Sequence, residues 1–341
     1  MSNSSGQGYD YDGWLRFNGL FFTEPHGEME PEDLLEAFDE YAEGSPRDPS
    51  EGYRETELAT RLANVADLSG SMAEFAENIY TYEFISEQWV MVPDLHDPEG
   101  QPLDHAYRTD HKKVELIWDF DDVLIFQGTK NIITNKRKEL RGSLSRTLKI
   151  EKVRFDFDYL LWLLYQSDQG NRVGSGLRVN SVSNCTTTGT SRMGEQVAVD
   201  GASEVVRSVP FISALLEGNK IDSLEADMLL GNNYLVAEID SDGWIHVKAS
   251  REDMKSLNKL RQMGLAARFV VELLRSYESW LQLPRNKQYP PESFFHRLLD
   301  ICEEEGYLPI REPEDLLREY ERKRDGRIEG PSAAYSLSKF N

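Results

Sequence analysis

Hydrophobic and polar positions divide the chain into a strand-rich first part, up to Thr129, and a mixed second part. The first part contains one helical pattern, Pro31–Glu43, with a proline suited to the first helical position and Gly44 at the stop. Its other apolar stretches alternate or are rich in aromatic and β-branched residues, which predicts strands. These predicted strands are Gly13–Phe22, Leu58–Asp67, Tyr80–Val92, Lys113–Asp119 and Asp122–Thr129.

Helical spacing dominates the second part, after Thr129. A long helix is predicted from a cap at Ser250, with Asp253 completing a capping box, to about Leu281. Before it, two alternating runs flank the turn residues Ser241-Asp242-Gly243 and predict a β-hairpin. The remaining predicted helices are Phe155–Gln166, Pro291–Glu305 and Pro313–Lys323, and the hairpin strands are Tyr234–Asp240 and Trp244–Ala249.

These elements predict an α+β fold with two domains. A β-rich acidic domain over residues 1–166 ends in a basic helix and an apolar helix. The glycine- and serine-containing stretch Ser167–Gly176 is predicted to join it to a mixed domain over 177–327, which holds the hairpin, the long helix and two shorter helices. Residues 328–341 are predicted to be a loose tail.

Charge singles out residues 129–154, here called the basic segment. It holds nine basic and two acidic side chains, a local net charge of +7 in a chain whose formal net charge is −22. A helix is predicted here, with Leu140, Leu144 and Leu148 as its apolar stripe. On the flank beside that stripe fall Lys138, Arg141, Ser145, Lys149 and Lys152.

The acidity is uneven, because residues 1–100 contain 23 acidic and only 4 basic side chains. Adaptation to high intracellular salt is one explanation, and 14 lysines against 24 arginines suit it. That adaptation should spread over the whole surface, however. An acidic module that faces a basic one explains the uneven distribution more directly.

Concentrated positive charge predicts a polyanionic partner, and we expect a non-catalytic regulatory or accessory protein that binds nucleic acid. No sequence-reading motif such as a zinc finger is present, so contacts to the phosphate backbone are expected. In the alternative, a protein-interaction scaffold, the basic segment docks on the acidic first third or on an acidic protein partner. The predicted phosphate contacts are Lys136, Arg137, Lys138, Arg141, Lys149, Lys152, Lys255 and Lys259.

The loop from Asp94 to His111 suggests a different chemistry. It gathers three of the six histidines with four aspartates, and imidazole with carboxylate is a ligand set of catalytic metal centres. A metal-dependent phosphodiesterase is therefore a further alternative, although an HExxH motif is absent. The predicted ligands are His96, His105, His111 and Asp104.

No cofactor is predicted. The glycine-rich stretch Gly170–Gly176 lacks the Lys-Ser/Thr ending of a P-loop and the GxGxxG spacing of a dinucleotide site. Cys185 and Cys302 are isolated in sequence and predicted to be small buried hydrophobes. No run could cross a bilayer and the start does not resemble a signal peptide, so the expected location is the cytoplasm.

Overall fold

A computed structural model describes residues 13–27, 38–64, 70–93, 96, 98–101, 106–120, 122–134, 144, 148–191, 193–201, 205–307 and 313–331. These residues contain eleven strands, which pair antiparallel, and nine helices, so the predicted α+β class is confirmed. The chain divides into an N-terminal unit, residues 16–153, and a C-terminal unit, which comprises the described parts of 1–15 and 154–341. The boundary predicted at Ser167–Gly176 does not coincide with this division.

An antiparallel sheet forms the centre of the N-terminal unit. Its strands lie in the order β2-β3-β4-β5-β1, and β6 also pairs with β1. The strands predicted over 13–22, 80–92, 113–119 and 122–129 are confirmed. The elements are β1 (Trp14–Pro25), β2 (Glu51–Glu55), α1 (Leu58–Ala63), α2 (Gly70–Asn78), β3 (Ile79–Met91), β4 (Tyr107–Asp119), β5 (Val123–Gln127) and β6 (Leu148–Lys152).

Aromatic side chains fill the core of this unit. Phe38 stacks on Tyr82 with ring centroids 4.4 Å apart and meets Tyr53 edge-on at 4.9 Å. Trp118 is fully buried beside them. Offset and edge-on ring pairs add directional attraction to the burial of apolar area, which fixes how the first strands pack.

Two predictions in this unit are wrong. The helix predicted over Pro31–Glu43 lies partly outside the described residues, but residues 38–43 are extended because Asp39 and Tyr41 exchange backbone hydrogen bonds with Tyr53 of β2. The strand predicted over Leu58–Asp67 is the helix α1 up to Ala63. Leu58 and Leu62, one turn apart, are its buried residues.

The C-terminal unit combines a second set of strands with most of the helices. Its strands lie in the order β11-β10-β9-β7-β8. The predicted hairpin and the helices predicted at 155–166, 291–305 and 313–323 are confirmed. The elements are α3 (Phe157–Gln169), β7 (Leu177–Ser191), β8 (Gly194–Val199), α4 (Val209–Leu216), β9 (Lys220–Leu230), β10 (Asn233–Asp240), β11 (Trp244–Lys248), α5 (Glu252–Ser256), α6 (Lys259–Gln282), α7 (Arg285–Gln288), α8 (Glu292–Glu304) and α9 (Pro313–Arg324).

Helices α3 and α6 meet through an aromatic cluster. Tyr159 of α3 lies 4.8 Å from the ring of Tyr277 and 5.4 Å from that of Trp280, both on α6. The Tyr159 hydroxyl donates to Ser276 Oγ at 3.2 Å, so this buried polar group has a partner. Helix α9 is tied to the start of α3, because Tyr320 and Lys323 both donate to the Asp158 carboxylate.

The long helix begins later than predicted. Asn258 caps α6 by accepting a hydrogen bond from the Arg261 backbone N–H, while Leu257 and Asn258 have extended backbone. Residues 252–256 form the separate short helix α5, whose cap is Arg251 and not Ser250. Asp253 instead accepts from the Tyr234 backbone N–H at 2.8 Å, so the predicted capping box is wrong.

Within the described ranges, none of the helices combines the length and the apolar character needed to cross a bilayer.

Candidate functional site

The basic segment connects two strands that lie on opposite sides of β1. Phe21 and Phe22 of β1 pair with Leu124 and Val123 of β5 on one side and with residues 151–152 of β6 on the other. Both partners run antiparallel to β1, so β5 and β6 are parallel to each other. The chain between them is therefore a crossover connection, which starts at one end of β1 and returns at the other.

Two described apolar residues anchor this crossover. Ile133, in a helical stretch over 130–134, and Leu144 are both buried in the hydrophobic cluster of the N-terminal unit, together with Leu148 and Ile150. The prediction that the segment docks on a core through Leu144 and Leu148 is therefore confirmed for these two leucines. Lys136, Arg137, Lys138 and Arg141 lie outside the described residues.

The end of the basic segment is a strand, so the helix predicted there is wrong over 148–152. Leu148 and Ile150 are buried while Lys149 is exposed, and this period-2 alternation pairs with β1. Lys149 and Lys152 are three residues apart and therefore point to opposite faces of the strand. They do not share the flank that helical spacing predicted.

Lys149 has an acidic neighbour from the first third of the chain. Its ammonium nitrogen lies 3.3 Å from a carboxylate oxygen of Glu24, directly opposite it on β1. About half of each side chain is exposed, and such surface ion pairs contribute about 0–1 kcal/mol. The pair is too weak to prevent a phosphate from binding Lys149.

Lys255 and Lys259 do not form the predicted helical pair. Lys255 lies at the end of α5 and Lys259 at the start of α6, with the extended residues Leu257 and Asn258 between them. Both lysines are exposed. Because the helix is broken between them, the one-turn spacing that was expected to follow a phosphate backbone is lost.

The predicted metal ligands are only partly described. His105 and Asp104 lie outside the described residues, so the four-residue set stays a prediction. Within the described part of the chain, no three His, Cys, Asp or Glu side chains lie close enough together to hold a metal ion. His96 is exposed, and His111 belongs to β4, where it pairs with Glu87 of β3.

His111 borders a carboxylate that organises residues 39–50. Glu87 accepts hydrogen bonds from the Tyr41 hydroxyl (2.6 Å), the Trp89 indole N–H (3.0 Å) and the backbone N–H groups of Gly44 (3.0 Å) and Ser50 (3.1 Å). The Tyr41 hydroxyl also lies 3.2 Å from His111 Nε2. In the sequence, Glu87 is one acidic residue within an aromatic strand pattern, and nothing in that pattern indicates the hydrogen bonds it accepts.

These hydrogen bonds shift two ionisation equilibria. The pKa of Glu87 is lowered to about 2, chiefly by the hydrogen bond from the Tyr41 hydroxyl and then by those from the Gly44 and Ser50 N–H groups. The same bond from Tyr41, followed by burial, raises the pKa of Tyr41 to about 12. A glycine is needed at position 44, since a Cβ there would lie 2.6 Å from Glu87 Oε2 and 2.5 Å from the Ser50 nitrogen.

We expect Glu87→Gln to lower the stability of the protein by an amount that depends on pH. Since the folded-state pKa of Glu87 is below its ordinary value of 4.5, the ionised form stabilises the fold fully above pH 4.5. This contribution is lost as the pH falls towards 2. Thermal unfolding of the unsubstituted protein and of Glu87→Gln, from pH 2 to above pH 4.5, measures the difference in stability. Glu57→Gln, at an exposed position, is the control. A difference that stays constant with pH would contradict the prediction.

Both cysteines are buried, as predicted. Burial raises the pKa of the Cys302 thiol, which keeps it protonated and unreactive. Cys185 is likewise enclosed, within β7.

The basic segment is thus an anchored crossover whose described cations are Lys130, Lys149, Lys152 and Arg154. No protein-family model matches the chain, and a search of curated proteins finds none similar to it.

Proposed function

We propose that the protein is a non-catalytic regulatory or accessory protein that binds nucleic acid through the phosphate backbone, using the basic segment. The observation that carries the proposal is the concentration of nine cations in 26 residues of a chain with a net charge of −22. Keeping like charges together costs electrostatic energy, which an anionic partner offsets. Ile133 and Leu144 anchor the segment on the sheet, which limits the conformational entropy lost on binding.

At most five of the six proposed contacts in the segment can engage one duplex. Lys149 and Lys152 point to opposite faces of β6, so only one of them can join Lys136, Arg137, Lys138 and Arg141. The partner is read by charge and not by base sequence, because phosphate contacts carry no sequence information.

A salt titration of full-length protein with fluorescent duplex DNA tests this function. Each neutralised phosphate contributes roughly −0.9 to the log–log slope of affinity against salt, so five contacts give about −4.5. Two duplexes of unrelated sequence should bind alike. The titration starts at the lowest salt at which circular dichroism reports a folded protein. Binding absent at that salt, or dependent on sequence, would contradict the proposal.

A specific contact favours a second candidate, a scaffold whose basic segment docks on acidic protein surface. The pair between Lys149 and Glu24 already joins the segment to the acidic first third of the chain. If such pairs extend along the segment, removing its cations destabilises the fold instead of weakening DNA binding. The two functions therefore predict different results for the same variant.

A further inference from the structure

A groove on the C-terminal unit is lined by residues of helices α3, α7 and α9 and of the turns beside them. Helix α3 and the turn after it form one wall, the connections around α7 form the opposite wall, and the end of α9 closes one side. The groove has a volume of about 450 Å³, within the range of small-ligand sites. It lies wholly within this unit and is separate from the basic segment.

The charged residues along the groove are all cationic. Arg172, Lys287 and Arg324 line it, and none of the described lining residues is acidic. Arg172 and Lys287 are exposed and form no ion pair with a described residue, while Arg324 donates one hydrogen bond to the Tyr289 carbonyl and keeps other N–H donors. Three cations along one groove, with no acidic side chain among its described lining residues, favour the binding of a phosphate group.

Flat and amide side chains line the rest of the groove. Tyr165 is partly exposed and presents an aromatic surface beside the nearly buried Trp162. Asn171 and Asn286 are exposed along the groove. An amide carries two N–H donors and one acceptor oxygen, and Asn171 uses its amide nitrogen in a hydrogen bond to Gln166 Oε1 while its carbonyl oxygen can accept from a ligand. Aromatic faces that stack on a planar ring, together with amides that pair with its edge, are what proteins use to hold a nucleobase.

The backbone around the groove is fixed by hydrogen bonds. Trp162 Nε1 donates to the Lys287 carbonyl at 3.1 Å, which joins the two walls. The Gln288 amide donates to the carbonyls of Trp280 and Leu281 at 2.8 and 2.9 Å, and the Asn171 amide to Gln166 Oε1 at 2.8 Å. The cations are therefore held on a preformed frame, which lowers the entropic cost of binding.

From this arrangement we infer that the groove binds a nucleoside phosphate unit, with Arg172, Lys287 and Arg324 on the phosphate and Tyr165 against the base. The unit can belong to a free nucleotide or to a single-stranded nucleic acid, since both present the same phosphate and ring. The inference stands on the groove alone and does not depend on the function proposed for the basic segment.

Calorimetry on the full-length protein at low salt tests the inference with adenosine 5′-monophosphate, adenosine, inorganic phosphate and a hexamer of deoxyadenylate. All titrations use the Lys136→Ala/Arg137→Ala/Lys138→Ala/Arg141→Ala background, so that the basic segment does not contribute. We expect the monophosphate to bind more tightly than adenosine or phosphate alone. A hexamer that binds at least tenfold tighter identifies a strand as the source, and equal affinities identify the free nucleotide.

Variants assign the binding to the groove. Arg172→Ala/Lys287→Ala should weaken binding of the monophosphate by at least about tenfold, because charge-assisted contacts are lost. The matched control Lys220→Ala/Arg251→Ala removes two exposed cations from the same unit and should leave the affinity unchanged. Tyr165→Leu should weaken binding of the monophosphate but not of inorganic phosphate.

Three results would overturn the inference. The first is an absence of saturable monophosphate binding, and the second is equal weakening by the groove and control variants. The third is binding of adenosine or of inorganic phosphate as tightly as the monophosphate, which would remove the role of the phosphate or of the base. Each concerns the groove only, and duplex binding by the basic segment in the unsubstituted protein is measured separately.

Discussion

Replacing Lys136, Arg137, Lys138 and Arg141 by alanine should weaken binding to duplex DNA on the order of a thousandfold at about 0.1 M salt. Four phosphate contacts are lost, and with them the release of the condensed counterions that drives association. The log–log salt slope should flatten from about −4.5 to about −1, equally for all duplex sequences. Fluorescence anisotropy over a salt series measures both quantities.

The control for this variant removes the same charge elsewhere. Arg47, Arg61, Arg251 and Arg322 all lie on the described surface outside the basic segment, and their replacement by alanine should leave the slope near −4.5. Equal slopes in the two variants would show that overall charge, and not the segment, determines binding.

The scaffold function predicts a different outcome for the same substitutions. If the basic segment pairs with the acidic first third, the four-fold variant should lose thermal stability, and deletion of acidic residues should create or increase DNA binding. Under the nucleic-acid proposal the melting temperature of the variant stays unchanged or rises, because repulsion between the cations is relieved. The nucleic-acid proposal would be rejected if the four-fold variant lost thermal stability and the unsubstituted protein did not bind DNA.

Trp280→Ala should lower the free energy of unfolding of the C-terminal unit by about 3–5 kcal/mol, through lost burial and the cavity left behind. Trp280 is fully buried, stacks on Tyr277 at 5.9 Å and donates from its indole to the Gln288 carbonyl at 2.9 Å. In a unit of this size the loss corresponds to a fall in melting temperature of roughly 10 °C. Near-ultraviolet circular dichroism recorded during heating measures this fall in melting temperature.

Trp244→Ala is the matched control, because that tryptophan is only partly buried and stacks on His246 of the same strand, β11. Trp244→Ala should lower the free energy of unfolding by markedly less than Trp280→Ala. Trp280→Phe should fall between the two, since it keeps part of the ring packing but leaves the Gln288 carbonyl without its donor. Similar melting temperatures for Trp280→Ala and Trp244→Ala would contradict the assigned role of Trp280.

Local patterns predicted those elements whose cause is local. The turn residues predicted the hairpin of β10 and β11. The apolar spacing predicted the long helix α6, although its predicted cap, Ser250, lies eight residues before the actual cap, Asn258. The extended residues 38–43 were missed because their partner is Tyr53 of β2. A helical composition is overridden there by hydrogen bonds to a strand that the sequence pattern does not connect with it.

The sites show the same limit. The charge of the basic segment is evident from its composition, but its secondary structure is not. Leu144 and Leu148 fit the apolar stripe of a helix, whereas Leu148 and Ile150 fit the alternation of a strand. The structure has the strand, which pairs with β1. The groove was invisible for a different reason. It combines Tyr165 and Arg172 with Lys287 and Arg324, residues so far apart in sequence that only the folded chain brings them together.

Because the basic segment is a crossover connection between β5 and β6, a linker of different sequence could replace it. Its two ends are fixed on one strand, near Phe17 and at Pro25 of β1, and eight residues of extended chain separate these points by roughly 27 Å. A neutral linker of about nine or more residues could bridge that distance, although Ile133 and Leu144 would leave the core. Because longer loops add little closure entropy, the length and charge of this connection can diverge between related proteins while the register of β1 is retained.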